Sequence, residues 1–123
     1  MARLALTPKD LPARFPSLPI TANALDFIFT AAGASFADGA GFVLSEKEIL
    51  LAYNPDSSAR TITISSVVDP FNRTGDITAY SLGAGEYCVF PQFKRDGWQQ
   101  TNGQLYVAAS NALVQFAVLR LVD

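Results

Sequence analysis

The stretch Arg60-Thr61-Ile62-Thr63-Ile64-Ser65-Ser66-Val67 decides the fold class, because hydroxyl and branched apolar side chains alternate along it. A period of two places the threonines and Ser65 on one face of a strand, with Ile62 and Ile64 on the other. A strand with one polar and one apolar face is typical of antiparallel sheets. The stretch therefore predicts a β-strand whose isoleucines face a core.

Further strand patterns surround this one, and no segment has a convincing 3.6-residue period. Turn residues separate them, most clearly in Asn54-Pro55-Asp56-Ser57-Ser58. The last strand is apolar on both faces, which indicates a place in the middle of a sheet, whereas residues 33–41 read as a small-residue loop. The pattern predicts an all-β fold, a single antiparallel β-sandwich of Greek-key or jelly-roll type with about seven or eight strands. The other predicted strands are residues 25–31, 48–53, 76–82, 86–90, 104–110 and 113–122.

The start of the chain differs from the rest, because four of the seven prolines lie within its first 19 residues. Proline fixes φ and disfavours helix in the preceding residue, so we expect an extended arm over residues 1–20 and the sandwich over residues 21–123. The arm either packs along its own domain or reaches across to a neighbouring subunit. Its apolar side chains are Leu4, Leu6, Leu11, Phe15 and Leu18.

Composition excludes several classes of function. The chain has no histidine, which removes imidazole triads and most zinc sites, and its net charge of −2 disfavours nucleic acid as a partner. No apolar run reaches the length of a membrane span, and no signal-peptide pattern opens the sequence, so we expect no membrane partner and a cytoplasmic origin. Only 16% of the residues are charged, against about 25% in typical domains. Some apolar surface is therefore expected to meet another chain.

The remaining candidates for catalytic chemistry are weak, and we expect no enzymatic activity, no cofactor and no metal ion. The lone thiol, Cys88, lies in an apolar strand pattern and is expected to be buried and inert. Scattered acids are typical of a solvated surface. A hydrolase would require convergence of two carboxylates from the set Asp56, Asp69, Asp76 and Asp96.

The loop over residues 92–103 places Phe93 and Trp98 on either side of Lys94, Arg95 and Asp96. The two aromatic side chains either cap the sandwich core or form a contact site, since aromatics and arginine are enriched at interfaces. Stacked aromatics also hold sugars.

An ordered series of turns and strands carries a resemblance to a known family. It includes Ala52-Tyr53-Asn54-Pro55-Asp56-Ser57-Ser58-Ala59, then Leu82-Gly83-Ala84-Gly85-Glu86, and closes with Val114-Gln115-Phe116-Ala117-Val118-Leu119-Arg120-Leu121. Residues 50–121 resemble the capsid decoration, or cement, proteins, small β-sandwich structural proteins encoded among the head genes of tailed bacteriophages.

The resemblance implies binding without catalysis. Decoration proteins attach to the assembled capsid shell, often as homotrimers, and brace it by tying together adjacent copies of the major capsid protein. It implies a place on the capsid surface of the virion, after assembly in the host cytoplasm. The arm leucines with Phe15 are then the intersubunit contacts, and Phe93, Arg95 and Trp98 belong to a capsid-facing or trimer-facing loop.

A second function stays open, that of a carbohydrate- or receptor-binding module of a phage tail or fibre. Such a module would use aromatic rings as a sugar platform, drawn from Tyr53, Tyr80, Tyr87, Trp98 and Tyr106.

Overall fold

The computed structural model describes residues 3–12 and 22–121, which form two facing β-sheets and two isolated helical turns. The turns span Phe36–Asp38 and Arg95–Trp98. The strands, in chain order, are β1 (Leu4–Ala5), β2 (Lys9–Asp10), β3 (Thr30–Ala31), β4 (Ala40–Val43), β5 (Glu48–Tyr53), β6 (Arg60–Ser65), β7 (Ile77–Leu82), β8 (Tyr87–Phe90), β9 (Gln104–Ala109) and β10 (Gln115–Arg120).

The first sheet has the strand order β1-β4-β9-β6-β7, and the second has β2-β10-β5-β8 with β3 also paired to β10. From β4 to β10 the chain crosses between the sheets after every strand except β6, which forms a hairpin with β7. The two sheets bury one core between them. The predicted all-β sandwich is confirmed.

The alternation that decided the fold class has the expected result in three dimensions. Ile62 and Ile64 of β6 are fully buried. From the opposite sheet Leu50 and Phe116 enter the same core, and Leu105 of β9 completes its centre. One apolar face per strand is thus sufficient to build the interior.

The sheets are mixed rather than purely antiparallel, because the arm adds a short parallel strand to each. β1 pairs in parallel with β4, and β2 pairs in parallel with β10. All the other strand pairs are antiparallel. Residues 3–12 therefore close one side of the sandwich by joining both sheets.

The prediction of a loop over residues 33–41 is wrong at its end, where β4 begins at Ala40. The small residues are needed for close approach rather than for a turn alone. Gly39 has a φ of +79°, and a Cβ on it would overlap the guanidinium of Arg3. A Cβ on Gly41 would come within 3.0 Å of the Leu105 carbonyl oxygen. Glycine lets the arm lie directly on β4.

The predicted strand over residues 25–31 is also wrong for most of its length, since only Thr30–Ala31 pair as β3. β3 occupies the edge of β10 at Gln115 and Phe116, and β2 takes the same edge at Leu119 and Arg120. The arm therefore competes with residues 25–29 for one strand edge, and those residues cross the surface without a partner strand.

The last strand lies inside its sheet as predicted, with β5 on one side and β2 and β3 on the other. The turn after β5 is held by Asn54, which is fully buried. Its amide nitrogen donates to the carbonyl oxygens of Ser58, Leu82 and Gly83 at 2.9, 3.0 and 3.2 Å. One side chain thus ties the ends of β5 and β7 to the start of β6.

The β6–β7 hairpin contains a β-bulge, because Ile62 faces Tyr80 but Ile64 faces Ile77. Ala79 has a φ of +52° at this point. Its backbone N–H donates to the Thr63 hydroxyl at 3.0 Å. An alanine in the left-handed region stores strain, and the hydrogen bond to Thr63 holds it there.

Candidate functional site

The described part of the arm packs on its own domain. Leu6 is buried in the core, and Leu4 packs against that core. The Leu4 and Leu6 backbone N–H groups donate to the carbonyl oxygens of Gly39 and Gly41 at 3.0 and 2.8 Å. Leu11 is half-buried, with its N–H bonded to the Arg120 carbonyl oxygen at 2.8 Å. Residues 3–12 thus follow the first interpretation, and the Leu6 side chain lies in the core of its own domain.

Two predicted contact residues of the arm, Phe15 and Leu18, lie outside the described residues.

Charged groups hold residues 3–12 of the arm in place. The Arg3 guanidinium lies 3.7 Å from the centre of the Tyr106 ring. The Arg120 side chain donates to Asp10 at 2.5 Å, and this hydrogen bond lowers the pKa of Asp10. The described part of the arm is therefore attached to the first sheet at Arg3 and to the second sheet at Asp10.

Two of the three predicted contact residues in the loop over residues 92–103 pack in or against the core. Phe93 is buried, and its ring meets the half-buried Trp98 edge to face, with ring centres 4.9 Å apart. Arg95 is exposed, and its backbone N–H donates to the Glu46 carboxylate at 2.8 Å. The aromatic pair thus caps the sandwich as the first interpretation of this loop expects. Arg95 alone of the three presents its side chain to solvent.

Three of the four candidate acids are engaged in local turns, and the fourth, Asp96, is exposed and lines the same surface cleft as Asp69. Asp69 accepts the backbone N–H groups of Phe71 and Arg73 at 2.9 and 2.8 Å, together with the Arg73 guanidinium at 2.8 Å. Asp76 accepts the backbone N–H and the hydroxyl of Ser66, both at 2.7 Å. Asp56 pairs with Arg60.

These bonds favour the charged form of each carboxyl. The backbone N–H of Arg73 is the main cause that lowers the pKa of Asp69, and the backbone N–H of Ser66 does the same for Asp76. The Arg60 side chain lowers the pKa of Asp56. A general acid needs a raised pKa, so these three carboxyls act as turn-forming acceptors.

Cys88 faces inward from β8, opposite Ala52 of β5. Burial raises the pKa of its thiol, which disfavours the reactive thiolate. Within residues 3–12 and 22–121, no group of three or more Cys, Asp or Glu side chains could hold a metal ion. Over the same residues, none of the helical segments has the length and hydropathy to cross a bilayer.

A feature that the motif search missed is the outer surface of the second sheet. Since residues directly opposite in a sheet share a face, the register places Tyr87 and Val89 of β8 beside Tyr53 and Leu51 of β5. The β5–β10 register continues this face across the sheet. Phe29 and Phe27 extend it through ring contacts. We call this surface the apolar face; its members are Phe27, Phe29, Ile49, Leu51, Tyr53, Tyr87, Val89, Ala117 and Leu119.

The aromatic side chains of the apolar face form one connected cluster. The rings of Tyr53 and Tyr87 are stacked, with centres 4.1 Å apart and planes 14° from parallel. Phe29 lies 6.1 Å from Tyr53 and 5.9 Å from Tyr87, and Phe27 lies 5.7 Å from Phe29. Even so, Tyr87 and Val89 stay 65% and 60% exposed. The cluster is ordered by its own contacts but is only partly covered.

The two outer surfaces of the sandwich have opposite character. On β5, β8 and β10 no outward residue is charged, and Gln115 is the only amide among them. Within the part of the chain that the structure describes, the strand register places one cation on this surface, Lys9 of the edge strand β2, opposite Leu119. The first sheet instead presents hydroxyl and amide groups, including Thr61, Thr63, Ser65, Ser81 and Gln104.

A signal for the apolar face existed in the sequence. Antiparallel strands with one solvated face alternate polar and apolar residues, as β6 does. The sequences of β5 (Glu-Ile-Leu-Leu-Ala-Tyr) and β8 (Tyr-Cys-Val-Phe) do not. Their outward positions, such as Leu51 and Val89, hold side chains that a solvated face does not require.

The predicted sugar-platform residues are divided among four separate contacts. Tyr53 and Tyr87 meet on the apolar face, while Tyr80 and Trp98 contact Phe90 and Phe93 respectively. Tyr106 lies under Arg3 on the first sheet. They do not form a single platform.

Comparisons with known proteins do not place the chain in a family. No family model, curated protein or solved structure matches it.

Proposed function

We propose that the chain is a non-enzymatic structural protein that binds the assembled capsid shell of a tailed bacteriophage and stabilises it by bridging capsid subunits. The apolar face carries this proposal. An uncharged sheet surface with exposed aromatic side chains marks a protein contact rather than a solvated surface. The resemblance of residues 50–121 to decoration proteins supplies the setting, a shell of major capsid protein to which several copies of the chain bind in contact with one another.

The chemistry of the described residues supports binding over turnover. Asp56, Asp69 and Asp76 each hold a turn, and Cys88 is turned toward the core. The β-sandwich provides a rigid base for contact surfaces, since its core joins both sheets. In this proposal the protein resides on the capsid surface of the virion and acts as an oligomer, with three copies per site.

Binding to phage heads tests the proposal. We would mix the purified chain with heads of the phage that encodes it, before and after shell expansion, and measure co-sedimentation. We expect saturable binding to the expanded shell and a higher temperature of head disruption, because a ligand specific for the assembled state stabilises it. Failure to bind either form of the head would refute the proposal.

A second candidate is glycan binding, which the exposed ring of Tyr87 favours. With 65% of the side chain exposed and the ring held in place by Tyr53, Tyr87 offers a preordered surface for a sugar. A glycan-array signal that free sugar displaces and that Tyr87→Ser abolishes would support this function. The capsid proposal predicts no such signal.

A further inference from the structure

We propose that the occupant of the apolar face is a second copy of this chain. The proposal rests on the structural, self-associating function proposed above and assigns that association to specific residues. The interface would be centred on β5 and β8, with Leu51, Tyr53, Tyr87 and Val89 in contact with the partner copy.

Charge is the first argument for a second copy. In a contact between copies, charged groups near the symmetry axis approach their own counterparts and repel them. The outward positions of β5, β8 and β10 carry no charge, so copies of this surface can pack around a shared symmetry axis, a threefold axis included, without this repulsion. Lys9 lies on β2, at the opposite edge of the sheet from β8.

Area is the second argument. Besides Tyr87 and Val89, Phe27 is 43% exposed and the adjacent Ile28 is 84% exposed. With roughly 150–250 Å² per fully exposed large side chain, these four residues offer on the order of 400–500 Å² of apolar surface. This is a large patch for a monomer and about half of the roughly 800 Å² that each partner contributes to a stable interface, so the half-buried Leu51 and Tyr53 complete the contact.

The edge of the sheet is the third argument. The arm strands β1 and β2 lie at the ends of the strand order in the two sheets, and the bulge at Ala79 interrupts the β7 edge. β8 is the remaining edge strand, and it contains neither the lysine nor the proline that commonly protect such edges. Among residues 3–12 and 22–121, the strand with the most exposed residues of the apolar face therefore also has no partner strand on its outer edge.

A matched pair of valines allows a sharp test. Val89 is 60% exposed on the outer surface of the second sheet, and Val43 is 57% exposed on the outer surface of the first sheet, opposite Gln104. Neither belongs to the core. Val89→Lys and Val43→Lys therefore place the same charge on equally exposed positions of opposite sheets.

The measurement is the mass of the full chain in solution by sedimentation equilibrium, from about 1 to 100 μM. We expect the wild-type protein and Val43→Lys at the same multiple of 13.2 kDa. Val89→Lys should remain folded but associate at least about 100-fold more weakly, which corresponds to ~2.7 kcal/mol. Tyr87→Lys serves as a second variant on the same face if Val89→Lys fails to fold.

Three results would overturn the proposal. One is a wild-type protein that stays monomeric over the whole concentration range. This includes the case in which the protein's own chain covers the apolar face, so that Val89→Lys lowers the melting temperature of the monomer. Another is an oligomer that the folded face variants leave intact. The third is equal disruption by Val43→Lys, which would show a non-specific effect of charge.

The head-binding assay separates this inference from the proposed function. A monomeric protein that still binds expanded heads would refute the self-association at the apolar face and leave the capsid proposal standing. An oligomer that Val89→Lys dissociates but that does not bind phage heads would refute the capsid proposal and leave the self-association standing.

Discussion

Leu6→Ala tests whether the arm is part of the domain. The Leu6 side chain is 7% exposed and belongs to the core cluster, although the residue lies between two strands of only two residues each. If residues 3–12 are bound as the structure has them, truncation at Leu6 removes core contacts. If the arm instead extends away from its own domain, the same change costs the isolated domain nothing.

The magnitude follows from the burial. A buried leucine replaced by alanine costs about 2.7–5 kcal/mol, and the cost is lowest where the surroundings can relax. Leu6 lies at one side of the sandwich, on a segment held by few backbone hydrogen bonds, so we expect about 2–3 kcal/mol. For a domain of 123 residues, this corresponds to a fall in melting temperature of about 10 °C.

The assay is urea unfolding followed by circular dichroism, together with a thermal melt. Leu113→Ala is the matched control, since Leu113 is 51% exposed in the turn before β10 and the same atoms are removed. We expect less than about 0.5 kcal/mol for this control. Equal effects of the two substitutions would refute the packing of Leu6 in its own core.

Three further predictions concern the polar framework and the backbone. Asn54→Ala should lower the free energy of unfolding by at least about 2–3 kcal/mol in urea titration, because it leaves buried carbonyl groups without donors. Ala79→Gly should raise the free energy of unfolding by about 0.5–1 kcal/mol in the same assay, since glycine adopts its positive φ without strain. The melting temperature of Asp69→Asn should fall less on acidification than that of the wild-type protein. The folded-state pKa of Asp69 is lowered, so its stabilising effect is present above about pH 4 and is lost as the pH falls further.

Each of these predictions has a control within the chain. The Asn111 side chain accepts one hydrogen bond, from the Leu113 N–H, so Asn111→Ala should cost less than Asn54→Ala. Ala108→Gly, on β9 without a positive φ, should destabilise rather than stabilise. Equal melting temperatures of the wild-type protein and Asp69→Asn at every pH would contradict the role given to that carboxylate.

The sequence was sufficient for the fold class and for most strands. Alternation in β6 and turn residues such as Asn54 predict local structure because their causes are local. The competition between residues 25–29 and the arm for the edge of β10 depends on tertiary contacts, so the pattern around Phe27 predicted a longer strand than exists. Similarly, Gly39 and Gly41 resemble turn residues, and only the folded positions of Arg3 and Leu105 explain why the chain needs glycine at the start of β4.

The candidate site was harder to predict than the fold. The low fraction of charged residues indicated spare apolar surface but not its place. Phe93 and Leu6 are large apolar side chains of the kind found at protein contacts, yet both are buried in the core of their own domain. The apolar face depends on which outward residues of β5 and β8 become neighbours, and that register is a property of the folded sheet.

We infer that another protein molecule covers the apolar face when the protein is in its functional assembly. A density map of decorated phage heads, at a resolution that shows side chains, tests it most directly. We expect side chains of a second copy of the chain within about 4 Å of Tyr87 and Val89. A map in which both side chains face solvent, with all contacts made elsewhere on the domain, would contradict it.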